Sequence, residues 1–260
     1  MCFLSTTKKA TQPLGGCSGE RQKPSVRKPP SWACRSKKQS LGGLLMLAEL
    51  LGSFGNDLMV VNAARVSHGK WKNEFDHDRD TALIRYLARN KHESPFFHPQ
   101  VQFRITAPIF IARQWFRHEV GFSRNEVSRR YVDDEPAFFF PDQWRSRPEG
   151  SIKQGSGEPL HANIQDRAND YYTRAGQKCF AAYDEMLRMG VAPEQARMVL
   201  PQSMETQWVE TGSLMAYARL CRLRIHHHAQ VEIQNLAKEI HREMGWLFPV
   251  SWEALMEIDE

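Results

Sequence analysis

Residues 113–131 read RQWFRHEVGFSRNEVSRRY and hold five arginines, one histidine, two glutamates, one asparagine and two serines. Arginine forks at that density can hold anionic groups. The amides of Gln114 and Asn125 can hydrogen-bond a planar heterocycle. A charge run alone usually marks a solvated helix face. Here Trp115 and Phe116 sit among the charges, which points to one buried face and a lined pocket beside it.

Other candidate groups carry less chemistry by themselves. His226, His227 and His228 are consecutive, and consecutive residues on a helix or strand are not expected to converge on one ion; H-E-x-x-H is absent. We therefore expect no metal. Cys179 and Cys221 lie among apolar residues at helical spacing and read as core. No C-x-x-C pair occurs among the five cysteines, which speaks for a reducing compartment without a disulfide framework. Ser128 has no base evidently paired to it, so binding is the better reading than nucleophilic attack.

The net charge of +5 invites a nucleic-acid reading, but its distribution argues against one. Residues 1–45 carry nine Lys/Arg against Glu20 alone, a surplus of +8, which leaves the remainder at −3. The body is mildly acidic, so the arginines of residues 113–131 fit a small phosphorylated ligand better than a polyanion surface. The basic segment is rich in Ser, Gly and Pro and reads as a disordered, dispensable tail before a domain spanning 46–260. A transit peptide or an extension preceding a start at Met46 are the other readings of it. No apolar run approaches membrane-spanning length, so we expect a soluble, cytoplasmic protein, with organellar targeting by the tail as the variant.

These side chains need elements to position them. Residues 58–62 are apolar and β-branched and read as a buried strand. Residues 80–90 have helical spacing through Ala82, Leu83, Tyr86 and Leu87. Residues 92–98, HESPFFH, read as a loop, with Pro95 holding Ser94 extended. Residues 101–106 alternate as a half-buried strand. Pro108 suits the first turn of a following helix that carries Ile109, Ala112, Trp115 and Phe116 on one side and Gln114 with Arg117 on another. Gly121 is expected to end that helix, and the rest of the stretch to be loop. Residues 137–140 and 145–159 form a long connection. Helices are expected over 162–190, from 193 to 201, and over 213–223 and 229–246, with a strand over 204–209. The sum is an α+β fold with a mixed or antiparallel sheet and long amphipathic helices. It lacks a G-x-G-x-x-G or P-loop, so no Rossmann fingerprint is available to hold a dinucleotide.

Four elements in order resemble one family, the flavin-dependent thymidylate synthases. The family signature runs RHR, then spacers, then S-x-N-E-x-S-x-R. Arg117-His118 resemble its opening, and Ser123, Asn125-Glu126, Ser128 and Arg130-Tyr131 its close. Glu119 stands where the family has its second arginine, and one extra residue lies between Arg117 and Asn125. Residues 92–98 resemble the family's H-x-S/T-P-F-x-H element. Residues 196–201, ARMVLP, resemble its A-R-x-V-L-P, and residues 223–230, LRIHHHAQ, its L-R-x-x-x-H-A-Q. Residues 63–67, AARVS, are similar to an N-terminal element that sets a serine near flavin or nucleotide.

The resemblance implies conversion of dUMP to dTMP. Methylenetetrahydrofolate would be the carbon donor, NADPH the reductant and FAD the redox carrier. It implies a homotetramer with sites shared between subunits, and no membrane or nucleic-acid partner. For dUMP it implies Gln114, Arg117, Glu126, Ser128, Arg130, Arg197 and Arg224, with Arg224 as the activating residue. For FAD it implies Ser67, His92, Ser94, Arg117, His118, Glu119, Asn125, Glu126 and His228. No cysteine stands in a nucleophile context, so the uracil would be polarised electrostatically, by an arginine that stays charged. The rivals are a nucleotide- or RNA-binding protein without catalysis and a phosphohydrolase. The second would want clustered acidic metal ligands, for which residues 76–80 are a poor candidate.

Overall fold

Alternation decides which side of the sheet is buried. In the computed structural model, which describes residues 46–132, 136–148 and 155–257, four strands run in the order β1-β2-β4-β3, every pair antiparallel. They are β1 (Leu47–Phe54), β2 (Gln100–Pro108), β3 (Phe122–Glu126) and β4 (Glu205–Ser213). Val101, Phe103, Ile105 and Ala107 of β2 are buried, while Gln102, Arg104 and Thr106 take the other face. On β4 the inward residues are Thr206, Trp208, Glu210 and Gly212, so a glutamate sits in the apolar layer. Across the outer face, Gln102 Nε2 donates to Thr211 Oγ1 and Gln207 Nε2 to Thr106 Oγ1.

Helices cover the inner face: α1 (Asp57–Arg65), α2 (His77–Arg89), α6 (Leu214–Ile225), α7 (Val231–Leu247) and α8 (Pro249–Met256). The others are α3 (Ile109–Trp115), α4 (Ala162–Arg188) and α5 (Pro193–Ala196), and two short 3-10 turns, Ser94–Phe97 and Arg197–Val199, matter below. The α+β expectation holds, and the sheet is antiparallel. The tail of residues 1–45 lies outside the described residues.

Five local expectations fail. Ser94 is not extended: it opens the 3-10 turn Ser94–Phe97, with Phe96 N donating to the Glu93 carbonyl. Residues 58–62 are helix, not strand: Asn56 Oδ1 caps α1 by accepting from Met59 N, and a short apolar run does not separate a buried helix from a strand. The Asp57 carboxylate then accepts the backbone N–H groups of Val250 and Ser251 at the start of α8, which fixes the two ends together. The helix after Pro108, which is the residue before its first turn, ends at Trp115 rather than at Gly121. Gly121 instead opens β3 at φ +84°, where a Cβ would lie 2.9 Å from Ala216 Cβ and from Ser213 Oγ. The remainder of the signature is therefore strand as far as Glu126, not loop. Cys179, on the largely exposed α4, is half-buried rather than core, whereas Cys221 is fully buried.

Several elements agree with the reading from spacing. The helix expected over 80–90 is α2, although the buried face is Ile84, Leu87 and Ala88 rather than one including Ala82 and Tyr86. The strand over 101–106 is β2, and the helices near 162–190, 213–223 and 229–246 are α4, α6 and α7. The short helix from Pro193 splits into α5 and a 3-10 turn at Arg197. The strand expected over 204–209 runs on to Ser213 and so takes in Glu210. Strand β1, exposed along most of its length and shifted in register between Leu50 and Gly52, has no counterpart in the sequence reading.

Candidate functional site

The site is built on a buried carboxylate. Glu210 is fully buried and accepts from Trp115 Nε1 at 3.0 Å, Trp208 Nε1 at 3.2 Å and Arg124 Nε at 2.7 Å. Arg124 is the inward residue of β3, opposite Glu210 in register. Its guanidinium lies 4.4 Å from the Phe122 ring centroid and 5.3 Å from that of Phe116, and its Nη1 donates to the His118 carbonyl at 2.6 Å. The turn between α3 and β3 is thus held from beneath.

That turn presents Arg117, His118 and Glu119. His118 Nε2 accepts from Arg224 Nε at 2.9 Å, and Arg224 Nη2 donates to the Gln114 carbonyl at 3.3 Å. The Gln114 amide in turn donates to Gln230 Oε1 at 2.6 Å, just before α7. Burial, then the charges of Arg224 and Arg124, hold the His118 imidazole at about 4, so it is neutral near pH 7 and can accept this bond. Burial and then the Arg117 charge lower Arg224 as well, which stays protonated as a guanidinium. Gln114, Arg117, His118 and Arg224 are therefore brought together. Arg224 is tethered at the end of α6, one hydrogen bond behind His118, rather than projecting into the open cleft.

Beside the turn is a cleft of about 890 Å³. Arg117, His118 and Glu119 form one wall, Met215, Arg219 and Arg222 of α6 another, and Glu93 with Phe96 a third. Arg219 pairs with Glu93, and its guanidinium lies 5.3 Å from the Phe97 ring centroid. The lining mixes apolar side chains with the cations Arg117, Arg219 and Arg222 and the carboxylates Glu93 and Glu119, which suits a flat-ringed ligand that carries anionic groups.

The other expected residues distribute unevenly. His92 packs edge-on against Tyr86 and, like Ser94, is exposed beside the cleft wall without forming part of it. Ser67 Oγ donates to the Ala64 carbonyl after α1, away from the cleft lining. Asn125 is exposed on β3, and Glu126 at its far end accepts from Thr206 Oγ1 at 2.6 Å. Ser128 Oγ accepts from Arg130 N, Arg130 reaches Glu194 at 3.8 Å, and exposed Arg197 follows in the next turn. Five residues of strand, roughly 3.3 Å each, separate this group from the cleft group.

The His226–His228 turn corrects another expectation. The three exposed rings do converge, with ligand atoms within 4.8 Å of one another, because the chain turns sharply between α6 and α7. Nδ1 of His226 already accepts the backbone N–H of His228. Sequence reasoning missed Arg124, Glu210, Arg219, Arg222, Glu93 and Gln230. The signal for Glu210 was present in the alternation of residues 206–212, once the strand is carried past Val209.

Comparison with known proteins closes the identification. A sequence model described as "Thymidylate synthase complementing protein" matches residues 49–250. The flavin-dependent thymidylate synthase of Thermosipho africanus is 37% identical over 215 residues, covering 83% of this chain and 91% of that protein. That of Thermus thermophilus is 35% identical over 208 residues, covering 80% of this chain and 74% of that protein. Among solved structures, the UMP/dUMP methylase PolB of Streptomyces cacaoi bound with 5-Br dUMP superposes with a TM-score of 0.73 at 33% identity, covering 80% of this chain and 94% of that one. The matched span contains every element of the site just described, and the chain belongs to the thymidylate synthase complementing protein family, that of the flavin-dependent thymidylate synthases.

Proposed function

We propose that this chain methylates dUMP to dTMP, with methylenetetrahydrofolate as carbon donor, NADPH as reductant and FAD as the redox carrier. The relatives' names support the reaction and the flavin. The observation that carries the reading for this chain is the bond from Arg224 to His118, which joins two family motifs 106 residues apart at the edge of the cleft.

The donor set of the cleft supports FAD. Arg117 and Arg222 would hold its diphosphate, while exposed Val120 and Leu223 offer apolar surface to its rings. When bound, FAD supplies the electron transfer from NADPH that converts a transferred methylene to a methyl group. The protein's own part is binding and polarisation. The Arg224 fork, with Nε and Nη2 already placed, keeps Nη1 for the uracil oxygens. Charge grows there as C5 becomes nucleophilic, so the interaction strengthens toward the transition state. Neutral His118 holds the fork without competing for the substrate's negative charge. Cys221 is not a nucleophile: burial and then Glu210 push its thiol far above the usual range.

Glu126, Ser128, Arg130 and Arg197 gather at the other end of β3 from the cleft. Their separation supports the homotetramer reading, in which these residues complete the dUMP site of a neighbouring copy. We read 46–260 as the working domain, with the site metal-free. The test is the visible spectrum of purified protein reconstituted with FAD, together with dTMP formation. Oxidised-flavin absorbance bleached by NADPH is expected, and protein that stays colourless after desalting would sink the reading.

A further inference from the structure

We propose that Arg124, anchored on buried Glu210, is the positioning residue of this variant signature: through the His118 carbonyl it fixes the turn that holds His118 against Arg224. The inference rests on the functional reading above and deepens it. Nothing in the signature pattern marks Arg124, which occupies a spacer position between Ser123 and Asn125.

A buried ion pair is a poor stabiliser compared with apolar residues of similar size, so its presence on an otherwise apolar strand face asks for a use. Glu210 is fully buried and the Arg124 side chain is 13% exposed. The guanidinium cannot slide. Nε is bound to Glu210, Nη1 to the His118 carbonyl, and the aromatic rings of Phe122 and Phe116 lie close to it. Nη2 is buried without a hydrogen-bond partner among the described residues, so the side chain is committed to this geometry rather than shared with solvent. The result is a relay of four side chains from three elements and a turn: Glu210 of β4, Arg124 of β3, His118, and Arg224 of α6.

Glu119, at the place of the family's second arginine, is exposed and lines the cleft, and the cation bonded beneath this turn is Arg124. It touches no ligand position, because Glu210, Phe116 and Phe122 enclose it. Its charge has a second effect on the same bond. The charged groups around the His118 ring are Arg224 from α6, Arg124 from β3 with Glu210 of β4 behind it, and Arg117 and Glu119 of its own turn. Burial first, then the charge of Arg224 and last that of Arg124, lower the ring below its usual 6.5.

Two variants separate geometry from charge. In Arg124→Gln, the His118 titration followed by NMR on flavin-free protein is expected to move up from about 4 toward the usual 6.5. The kcat for dTMP formation should fall about a hundredfold, the size expected of a small misplacement at a reacting centre, with reduction of FAD by NADPH retained. In Arg124→Lys the charge stays, so His118 should titrate near its original value. The kcat should still fall, since a point charge does not reproduce the fork. A folded Gln variant with either an unmoved His118 titration or wild-type kcat overturns the proposal, and so does wild-type kcat in the Lys variant. If the parent protein makes no dTMP the functional reading fails instead, and the His118 titration still judges the relay.

Discussion

Removing the Arg224 guanidinium tests the proposed chemistry most directly, and the structure sets the size of the effect. Arg224→Ala deletes two bonds, to His118 Nε2 and to the Gln114 carbonyl, and the Nη1 group proposed to face the uracil. Neither partner is left as a buried unpaired charge, because His118 is neutral and the other acceptor is a backbone carbonyl. An unsatisfied acceptor costs about 1–3 kcal/mol when buried, and Arg224 is half-buried at a helix end, so the variant should fold. The rate is another matter. Losing one preorganised donor at developing negative charge costs about 10²- to 10³-fold, which is roughly 2.7–4 kcal/mol of barrier. FAD binding and its reduction by NADPH should persist, since Arg117 and Arg222 line the cleft independently. The assay is a pair of rates, flavin bleaching under NADPH and dTMP formation, measured on the same sample. Arg224→Lys should recover little. If the alanine variant makes dTMP at the parental rate, polarisation by Arg224 is refuted, and Arg222, which faces the cleft two residues earlier, becomes the residue to test.

Cysteine and core carboxylate give two further expectations. The double variant Cys179→Ala, Cys221→Ala should keep turnover at a cost of about one to a few kcal/mol, nearly all from buried Cys221; loss of turnover in folded, flavin-loaded protein would restore a thiol mechanism. Asp80 is fully buried between Lys72 at 2.7 Å and Arg65 at 2.8 Å, and Asp80→Asn should destabilise by less than the roughly 3–5 kcal/mol of a fully buried pair, because the two cations it leaves are each about a quarter exposed. Burial alone would raise the Asp80 carboxyl, but the Lys72 bond, the Asp76 backbone N–H and the two cations leave it below its ordinary 3.8. Its contribution is thus present above pH 3.8 and lost as pH falls through the lower folded value. Urea midpoints of parent and variant should accordingly converge in acid, and a difference that stays constant as pH falls ever further below 3.8 would contradict this.

How much of this was legible in the sequence depended on whether a residue's role is local. Val101 to Ala107 and the apolar faces of α6 and α7 announce themselves through period alone, since each position's fate follows from its neighbours two or four residues away. Arg117, His118 and Arg224 were legible because a motif records a fixed chemical need. Strand β3 was not, because Ser123, Arg124, Asn125 and Glu126 are weak strand formers, and its pairing with β4 supplies what propensity does not. Residues 58–62 misled for the converse reason: β-branched character was read as strand, where the Asn56 cap and the α8 terminus on Asp57 select helix. Arg124 and Glu210 lie 86 residues apart; alternation turns Glu210 inward once the strand is carried past Val209, but Arg124 looks like an ordinary surface charge in its own window. Only the register of β3 on β4 sets the two opposite each other. A long-range polar pair of this kind is the part of a site that periodicity cannot reach, because its meaning lies in the register between elements and not in either element.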